Sequence, residues 1–172
     1  MKRKSLYICH LLLMLILIPT FSGCNNEDDI ERIFTGKTWK MSRLTIEGKE
    51  KEQFGAIVWD SEAAYNRSIE LFKTKDNFTV TFEGTEVNGE FSSTKVTVNG
   101  AKVKKATGTW SANGKNNTIG LNLNITASET DPLAKEFIKG MQNVFKYEGD
   151  ENQITLYYKE GQTTCLIGFA KQ

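Results

Sequence analysis

Thiol and imidazole groups are the side chains of this sequence with the greatest capacity for covalent and acid–base chemistry. Three cysteines and one histidine occur among the 172 residues. Cys9 and His10 lie in an apolar N-terminal stretch, and Cys24 follows that stretch closely. The third cysteine, Cys165, lies near the C-terminus. A cysteine or serine nucleophile needs a nearby base, most often an imidazole. The fate of the N-terminal stretch therefore decides which chemistry is open to the protein.

The first 23 residues have the pattern of an export signal. A short head of lysine and arginine precedes an apolar run over residues 6–18, which only His10 interrupts. A membrane-spanning helix needs roughly 20 apolar residues, and this run is clearly shorter. We therefore expect residues 1–23 to be a signal peptide that is removed on maturation.

Small residues stand directly before Cys24. The run Thr20-Phe21-Ser22-Gly23-Cys24 resembles the lipobox of bacterial lipoproteins, with phenylalanine in place of the commoner leucine. This resemblance implies cleavage before Cys24 and attachment of lipid to it, which would anchor the chain stably in a membrane. The alternative is an ordinary secretory signal that happens to have a cysteine at its junction.

A polar and acidic run follows that cysteine. Residues 24–33 are expected to form a flexible tether, because Asn25-Asn26-Glu27-Asp28-Asp29 has nothing to bury. Acidic residues at this place also resemble the export signal that sends lipoproteins to the cell surface in some Gram-negative gut commensals. A plain solvated linker is the alternative. We expect an outer membrane lipoprotein that faces the periplasm or the cell surface.

Removal of residues 1–23 takes away the only histidine. Catalysis by Ser-His-Asp or Cys-His groups is then excluded, and so are zinc, copper and iron sites with histidine ligands. Cys165 is left as the only free thiol, so no disulfide can form within the chain, and its strand-like surroundings favour a place in the core. Catalysis by carboxylates alone and a hard cation held by oxygen atoms remain open, but turns and tethers explain the acidic residues. We therefore predict no enzymatic activity, no catalytic residue, no metal site and no cofactor.

The charge balance argues against a nucleic-acid partner. Residues 24–172 contain 19 basic and 21 acidic residues, which leaves no excess of positive charge for a phosphate backbone. The densest basic stretch is Lys102, Lys104 and Lys105 around Val103, and this alternation indicates the solvent face of a strand. We predict no nucleic-acid binding.

Alternating apolar residues predict a mainly β-structure. Ile119, Leu121, Leu123 and Ile125 give the clearest period of two. Asn-Gly pairs at 88–89, 99–100 and 113–114 are typical of hairpin turns, and a further turn is expected over 148–152. One late α-helix is predicted at about 131–142, with Asp131 as its N-cap. The order indicates an antiparallel meander that forms a small barrel or curved sheet. Further strands are expected at 39–46, 69–72, 78–82, 96–98, 103–110, 144–147, 154–158 and 164–169.

The segment 47–66 fits this pattern least well. It carries Trp59 and Tyr65 without a clear period, and residues 60–65 have the composition of a helical turn. Long irregular insertions often act as lids or binding loops, but packing against the barrel is an equal alternative. Trp39, Trp59, Tyr65 and Trp110 are the candidate contacts for a ligand or partner, although large aromatic residues also dominate the cores of small domains.

Four short motifs resemble the lipocalin-like and META-type domains of bacterial lipoproteins. They are Gly36-Lys37-Thr38-Trp39-Lys40 near the start, Gly108-Thr109-Trp110 midway, Glu136-Phe137-Ile138 on the predicted helix, and Asn152-Gln153-Ile154-Thr155-Leu156 after it. The resemblance covers about residues 34–170. It implies a calycin-like or META-like sheet over a single domain at 34–172, a location in the cell envelope, and no known catalytic residues.

Three functions agree with these features. The first is non-enzymatic binding of a small apolar ligand inside the barrel or of an envelope protein on an exposed face. Barrels of about eight strands can hold one small ligand, but their own side chains can equally fill them. The second is an inhibitor or assembly partner that acts through segment 47–66. The third is a glycan-binding surface lipoprotein, in which the aromatic residues would stack on sugars.

Overall fold

The computed structural model describes residues 29–87 and 90–172. Eight antiparallel strands follow one another around a closed barrel, and the last strand pairs with the first. Three helices accompany them: α1 (Ile30–Phe34), α2 (Glu62–Lys73) and α3 (Pro132–Gln142). The strands are β1 (Thr38–Ile46), β2 (Thr79–Val87), β3 (Glu90–Asn99), β4 (Ala106–Asn113), β5 (Thr118–Asn124), β6 (Val144–Gly149), β7 (Gln153–Glu160) and β8 (Thr163–Lys171).

This architecture confirms the predicted mainly-β meander and its late helix. The Asp131 carboxylate accepts a hydrogen bond from the Ala134 backbone N–H at 3.1 Å, so it is the N-cap of α3 as predicted. The turn at 148–152 is also observed, with Gly149 at φ +132° and the Asp150 carboxylate accepting two backbone hydrogen bonds. The Asn-Gly pair at 88–89 lies outside the described residues.

Residues 69–72 were predicted as a strand, and that prediction was wrong. They belong to α2, which Ser61 caps through a hydrogen bond from the Ala64 N–H to its hydroxyl. Ser68 is buried on the face of α2 that meets α3. A short apolar run fits a strand and a helix equally well, and here the cap and the packing against α3 decide for the helix. The helical turn expected over 60–65 is the beginning of the same helix.

The basic residues at 102–105 also lie in a different element from the one predicted. They belong to the 100–105 loop between β3 and β4, and Lys105 has a φ of +52°. The buried Glu129 carboxylate accepts the backbone N–H groups of Lys102 and Val103 at 2.8–2.9 Å. These side chain to backbone bonds take the place of strand pairing, so the alternation in the sequence does not mark a strand here.

The ordered domain begins earlier than the predicted boundary at residue 34. Within the expected tether at 24–33, α1 starts at Ile30, and its residues Ile30, Ile33 and Phe34 are buried. Asp29 caps this helix by accepting the Arg32 backbone N–H at 2.9 Å. Three of the five residues of this helix bury apolar side chains, so this part of the segment packs against the core instead of forming a tether. Residues 24–28 lie outside the described part of the chain.

Two helical insertions occupy the places where neighbouring strands separate. β1 pairs with β2 only through residues 38–40, and beyond that point the backbone of segment 47–66 takes over, with the Leu44 N–H bonded to the Gln53 carbonyl at 2.8 Å. β5 and β6 pair only at Thr118 and Lys146, and α3 connects these two strands. No helix in residues 29–87 or 90–172 is long and apolar enough to cross a membrane.

Candidate functional site

The interior of the barrel next to α1 is filled by aromatic side chains. The fully buried Phe34 ring contacts the rings of Phe82, Trp110 and Tyr147, with centroids 5.1, 5.5 and 5.0 Å apart. These three partners lie on β2, β4 and β6, so side chains from strands around the barrel contact one ring, that of Phe34. Two of these contacts are edge to face and the third is tilted, and rings packed this closely leave no room for a ligand at this level.

Trp39 and Trp110 therefore belong to the core. Trp39 is completely buried, and its indole N–H donates to the Phe34 carbonyl at 3.1 Å. Trp110 is 3% exposed, and its indole N–H donates to the Glu83 carbonyl at 2.9 Å. Both nitrogen donors are satisfied within the protein, which is the usual requirement for burying tryptophan. Neither ring is available to stack on a sugar.

A second group of aromatic residues continues the packing beneath the insertions. Phe137 on α3 contacts Phe78 at 5.5 Å and Phe169 at 6.2 Å between centroids. Phe78 in turn contacts Phe72 on α2, and Phe72 contacts Phe54 of segment 47–66. Phe54 thus makes part of segment 47–66 belong to the core.

Trp59 and Tyr65 lie together at the outer end of this aromatic row. Their rings meet edge to face with centroids 5.0 Å apart, and Trp59 also contacts Phe54. Trp59 is half-buried, whereas Tyr65 is 42% exposed. Of the four candidate aromatic residues, Trp39 and Trp110 are therefore buried inside the barrel, whereas Trp59 and Tyr65 contact each other near its surface.

A chain of hydrogen bonds fixes the position of Trp59. Its indole N–H donates to the Ser68 hydroxyl at 2.9 Å, and that hydroxyl donates to the Asp131 carboxylate at 2.7 Å. Ser68 and Asp131 are both buried, so the chain ties segment 47–66 and α2 to the first turn of α3. The local sequence predicts Asp131 as a helix cap, but it contains no signal for the contact of Asp131 with Ser68, which is 63 residues away.

Segment 47–66 presents an apolar surface to solvent. Val58 is 87% exposed, and together with Tyr65 it contributes two of the three exposed large hydrophobic residues in the described part of the chain. A shallow depression of about 330 Å³ is lined by Tyr65 together with Phe54, Ile57 and Trp59 among others, and Val58 lies between the last two in the sequence. Exposed apolar side chains next to a depression are typical of interaction surfaces.

The thiol of Cys165 lies in the core, as its surroundings predicted. Cys165 is 2% exposed, and burial raises the pKa of its thiol. Its neighbour Tyr158 is fully buried and donates its hydroxyl to the Glu136 carboxylate at 2.7 Å. Burial, and then this hydrogen bond, raise the pKa of Tyr158 above its usual value. A thiol with a raised pKa is a poor nucleophile.

Within residues 29–87 and 90–172, no group of three or more His, Cys, Asp or Glu side chains is arranged to hold a metal ion. Cys24, the predicted lipid attachment site, lies outside the described residues.

Fold and packing together define a class of protein, a closed eight-stranded antiparallel barrel of lipocalin-like architecture whose interior is occupied by its own side chains. The chain belongs to the DUF4847 family, a domain of unknown function whose model matches residues 25–171. The resemblance to lipocalin-like domains agrees with the barrel fold, but the sequence motifs did not identify this family.

A solved structure agrees with this membership. The chain is similar to a DUF4847 family protein from Bacteroides vulgatus ATCC 8482, known from a crystal structure at 1.00 Å resolution. The two are 26% identical, the match covers 82% of this chain and 96% of the other, and the TM-score is 0.54. No curated protein matched the chain.

Proposed function

We propose that this protein is a lipid-anchored, non-enzymatic binding protein of the bacterial outer membrane, and that segment 47–66 holds a protein partner. The observation that carries the proposal is the filled barrel next to α1, where Phe34 occupies the space that a small apolar ligand would need. Binding is therefore assigned to the outer surface. Such a partner could be one whose activity the protein inhibits or one with which it assembles.

The exposed end of segment 47–66 supports a protein partner in particular. Val58 and Tyr65 expose apolar area beside half-buried Ile57 and Trp59, while the hydrogen bonds of Ser68 and Asp131 hold the surface in one arrangement. A surface fixed in advance loses little conformational entropy on binding. A glycan partner has less support, because Trp39 and Trp110 are buried.

Val58 gives the sharpest test of this surface. A photo-reactive amino acid placed at Val58 in the native bacterium should cross-link to one dominant protein, and a second substitution of Tyr65→Ala should weaken that cross-link. Trp59→Ala is a poor probe, because it removes the part-buried hydrogen bond to Ser68 as well as a surface contact. The matched control carries the photo-reactive group at Phe145, which is 40% exposed on β6. Identical cross-links from the two positions, or none at Val58, would count against the proposal.

The anchor is tested separately by mass spectrometry of the protein isolated from its native membrane. The proposal expects an N-terminal peptide that begins at Cys24 and carries acyl chains. A product that retains residues 1–23, or that begins with an unmodified residue, contradicts the anchor without bearing on the binding surface.

A further inference from the structure

A groove on the outer wall of the barrel is separate from segment 47–66. Its volume is about 730 Å³, within the range of sites that take small molecules. Outward-facing residues of β1, β2 and β3 line it, and so do the turn after α2, the 100–105 loop and the C-terminal residue. None of the lining residues is aromatic.

Positive charge predominates in this groove. Lys75, Lys104 and Lys105 line it, opposed by the side-chain carboxylate of Asp76 and the terminal carboxylate of Gln172. The ammonium groups of Lys75 and Lys105 have no hydrogen-bond or ion-pair partner among residues 29–87 and 90–172. The Lys104 ammonium is held by neutral oxygen atoms of Asn77 and Gly100. Other lysines of this chain pair with glutamates: Lys73, Lys95, Lys139 and Lys146.

Two hydroxyl groups lie on the floor of the groove as free donors. Thr38 on β1 and Thr81 on β2 are directly paired in the sheet and both line the groove. Neither hydroxyl has a hydrogen-bond partner within the described residues. By contrast, the Thr79 hydroxyl accepts a bond from the Asn99 amide at 3.1 Å. Ammonium and hydroxyl donors together are suited to the oxygen atoms of an anion.

The rim of the groove is held in place from beneath. The Lys40 ammonium donates to the carbonyls of Phe72, Thr74 and Asn77 at 2.7–2.8 Å, which fixes the turn that carries Lys75. Across the groove, the Lys105 backbone N–H donates to the Asn99 side chain at 2.8 Å. Both free lysines therefore extend from backbone that is already ordered.

We propose that this groove binds a small ligand through an oxyanion group, a phosphate, sulfate or carboxylate, held by Lys75 and Lys105 above the hydroxyls of Thr38 and Thr81. The proposal rests on local charge, because the described residues carry equal numbers of basic and acidic side chains overall. It concerns a surface other than segment 47–66 and does not depend on the protein partner.

Titration of the purified protein by heteronuclear NMR tests the site. Inorganic pyrophosphate, sulfate and citrate are added in separate experiments at constant ionic strength, so that the three oxyanion classes are distinguished. The proposal expects saturable shifts of the Thr38, Thr81 and Lys105 amide signals with at least one of them. Lys75→Gln together with Lys105→Gln should weaken that binding about tenfold or more, since each neutral side chain loses a charge-assisted hydrogen bond.

A matched variant separates a built site from general attraction. Lys49→Gln together with Lys51→Gln removes the same charge from exposed positions in segment 47–66 and should change the affinity less than about twofold. Thr81→Val keeps the charge and shape of the groove and should also weaken binding. The proposal fails if none of the three anions gives saturable shifts, or if the control weakens binding as much as the groove variant.

Discussion

Buried polar side chains connect elements that are distant in the sequence. Glu129 holds the 100–105 loop through two backbone N–H groups, and Asp131 binds both the first turn of α3 and the Ser68 hydroxyl of α2. A buried polar group is tolerated when its hydrogen bonds are made within the protein. Removal of either carboxylate therefore leaves its hydrogen-bond donors without an acceptor inside the protein.

Asp131→Ala should reduce the free energy of unfolding by about 2–4 kcal/mol. The substitution removes a helix cap and leaves the Ser68 hydroxyl and the Ala134 N–H without their acceptor. Urea denaturation followed by circular dichroism measures the change. Because Trp59 donates to Ser68, tryptophan fluorescence should also shift.

Ser61→Ala is the control for the capping effect alone. Ser61 caps α2 at an exposed position, so its removal should cost about 1 kcal/mol. Equal losses for the two variants would mean that the contact between α2 and α3 adds nothing to stability.

At the scale of elements, the close approach of β4 and β5 depends on a residue without a side chain. A Cβ atom at Gly108 would lie 1.9 Å from the Asn122 carbonyl oxygen and 2.8 Å from its carbon. Backbone atoms of a paired strand cannot move away cheaply. The Gly108-Thr109-Trp110 motif thus has two structural roles. Gly108 allows β4 to approach β5 closely, and Trp110 packs in the core.

Gly108→Ala should destabilise the protein by about 1–3 kcal/mol, because β4 and β5 must separate to accept the methyl group. Gly120→Ala on β5 is the matched control, since its Cβ would meet nothing closer than the Ser111 hydroxyl oxygen at 3.8 Å. The control should change stability by less than about 0.5 kcal/mol. Thermal unfolding of both variants checks the difference, and equal melting temperatures would contradict it.

At the scale of the whole molecule, the three helices account for the filled barrel. α1 contributes Phe34 to the interior, and the packing of α2 and α3 joins segment 47–66 to the same core. Tyr158 of β7 lies in this continuous core with its hydroxyl on Glu136 of α3. Global unfolding therefore exposes tyrosines that the native state shields.

Stability should decrease as pH rises above 10. Burial, and then the hydrogen bond to Glu148, raise the pKa of Tyr157 to about 12, and the pKa of Tyr158 is also raised from the ordinary 10.0. Above that ordinary value the unfolded chain releases protons that the folded chain retains, so alkali favours unfolding. The two shifts cost no stability below pH 10.

Urea midpoints measured at about pH 9, 10 and 11 give the slope of this dependence. A variant with both Tyr157→Phe and Tyr158→Phe should lose less stability over the same interval, because it has no phenol to ionise at either position. An unchanged slope would show that these tyrosines do not cause the alkaline loss.

The sequence alone determined the features that depend on local patterns of residues. The period of two in β5, the cap and apolar stripe of α3, and the turn at 148–152 each depend on residues close together in the chain. The order of strands then implied an antiparallel meander, because short connections join neighbouring strands. These local signals were enough for the fold class.

Only the tertiary structure decided which surfaces are available for binding. Residues 69–72 took a helical conformation, residues 102–105 a loop, and Phe34 a place inside the barrel, through contacts with Asp131, Glu129 and the rings of β2, β4 and β6. The lysines and threonines of the oxyanion groove likewise come from separate parts of the chain. Contacts between distant residues depend on how the elements pack, and no local period records that packing.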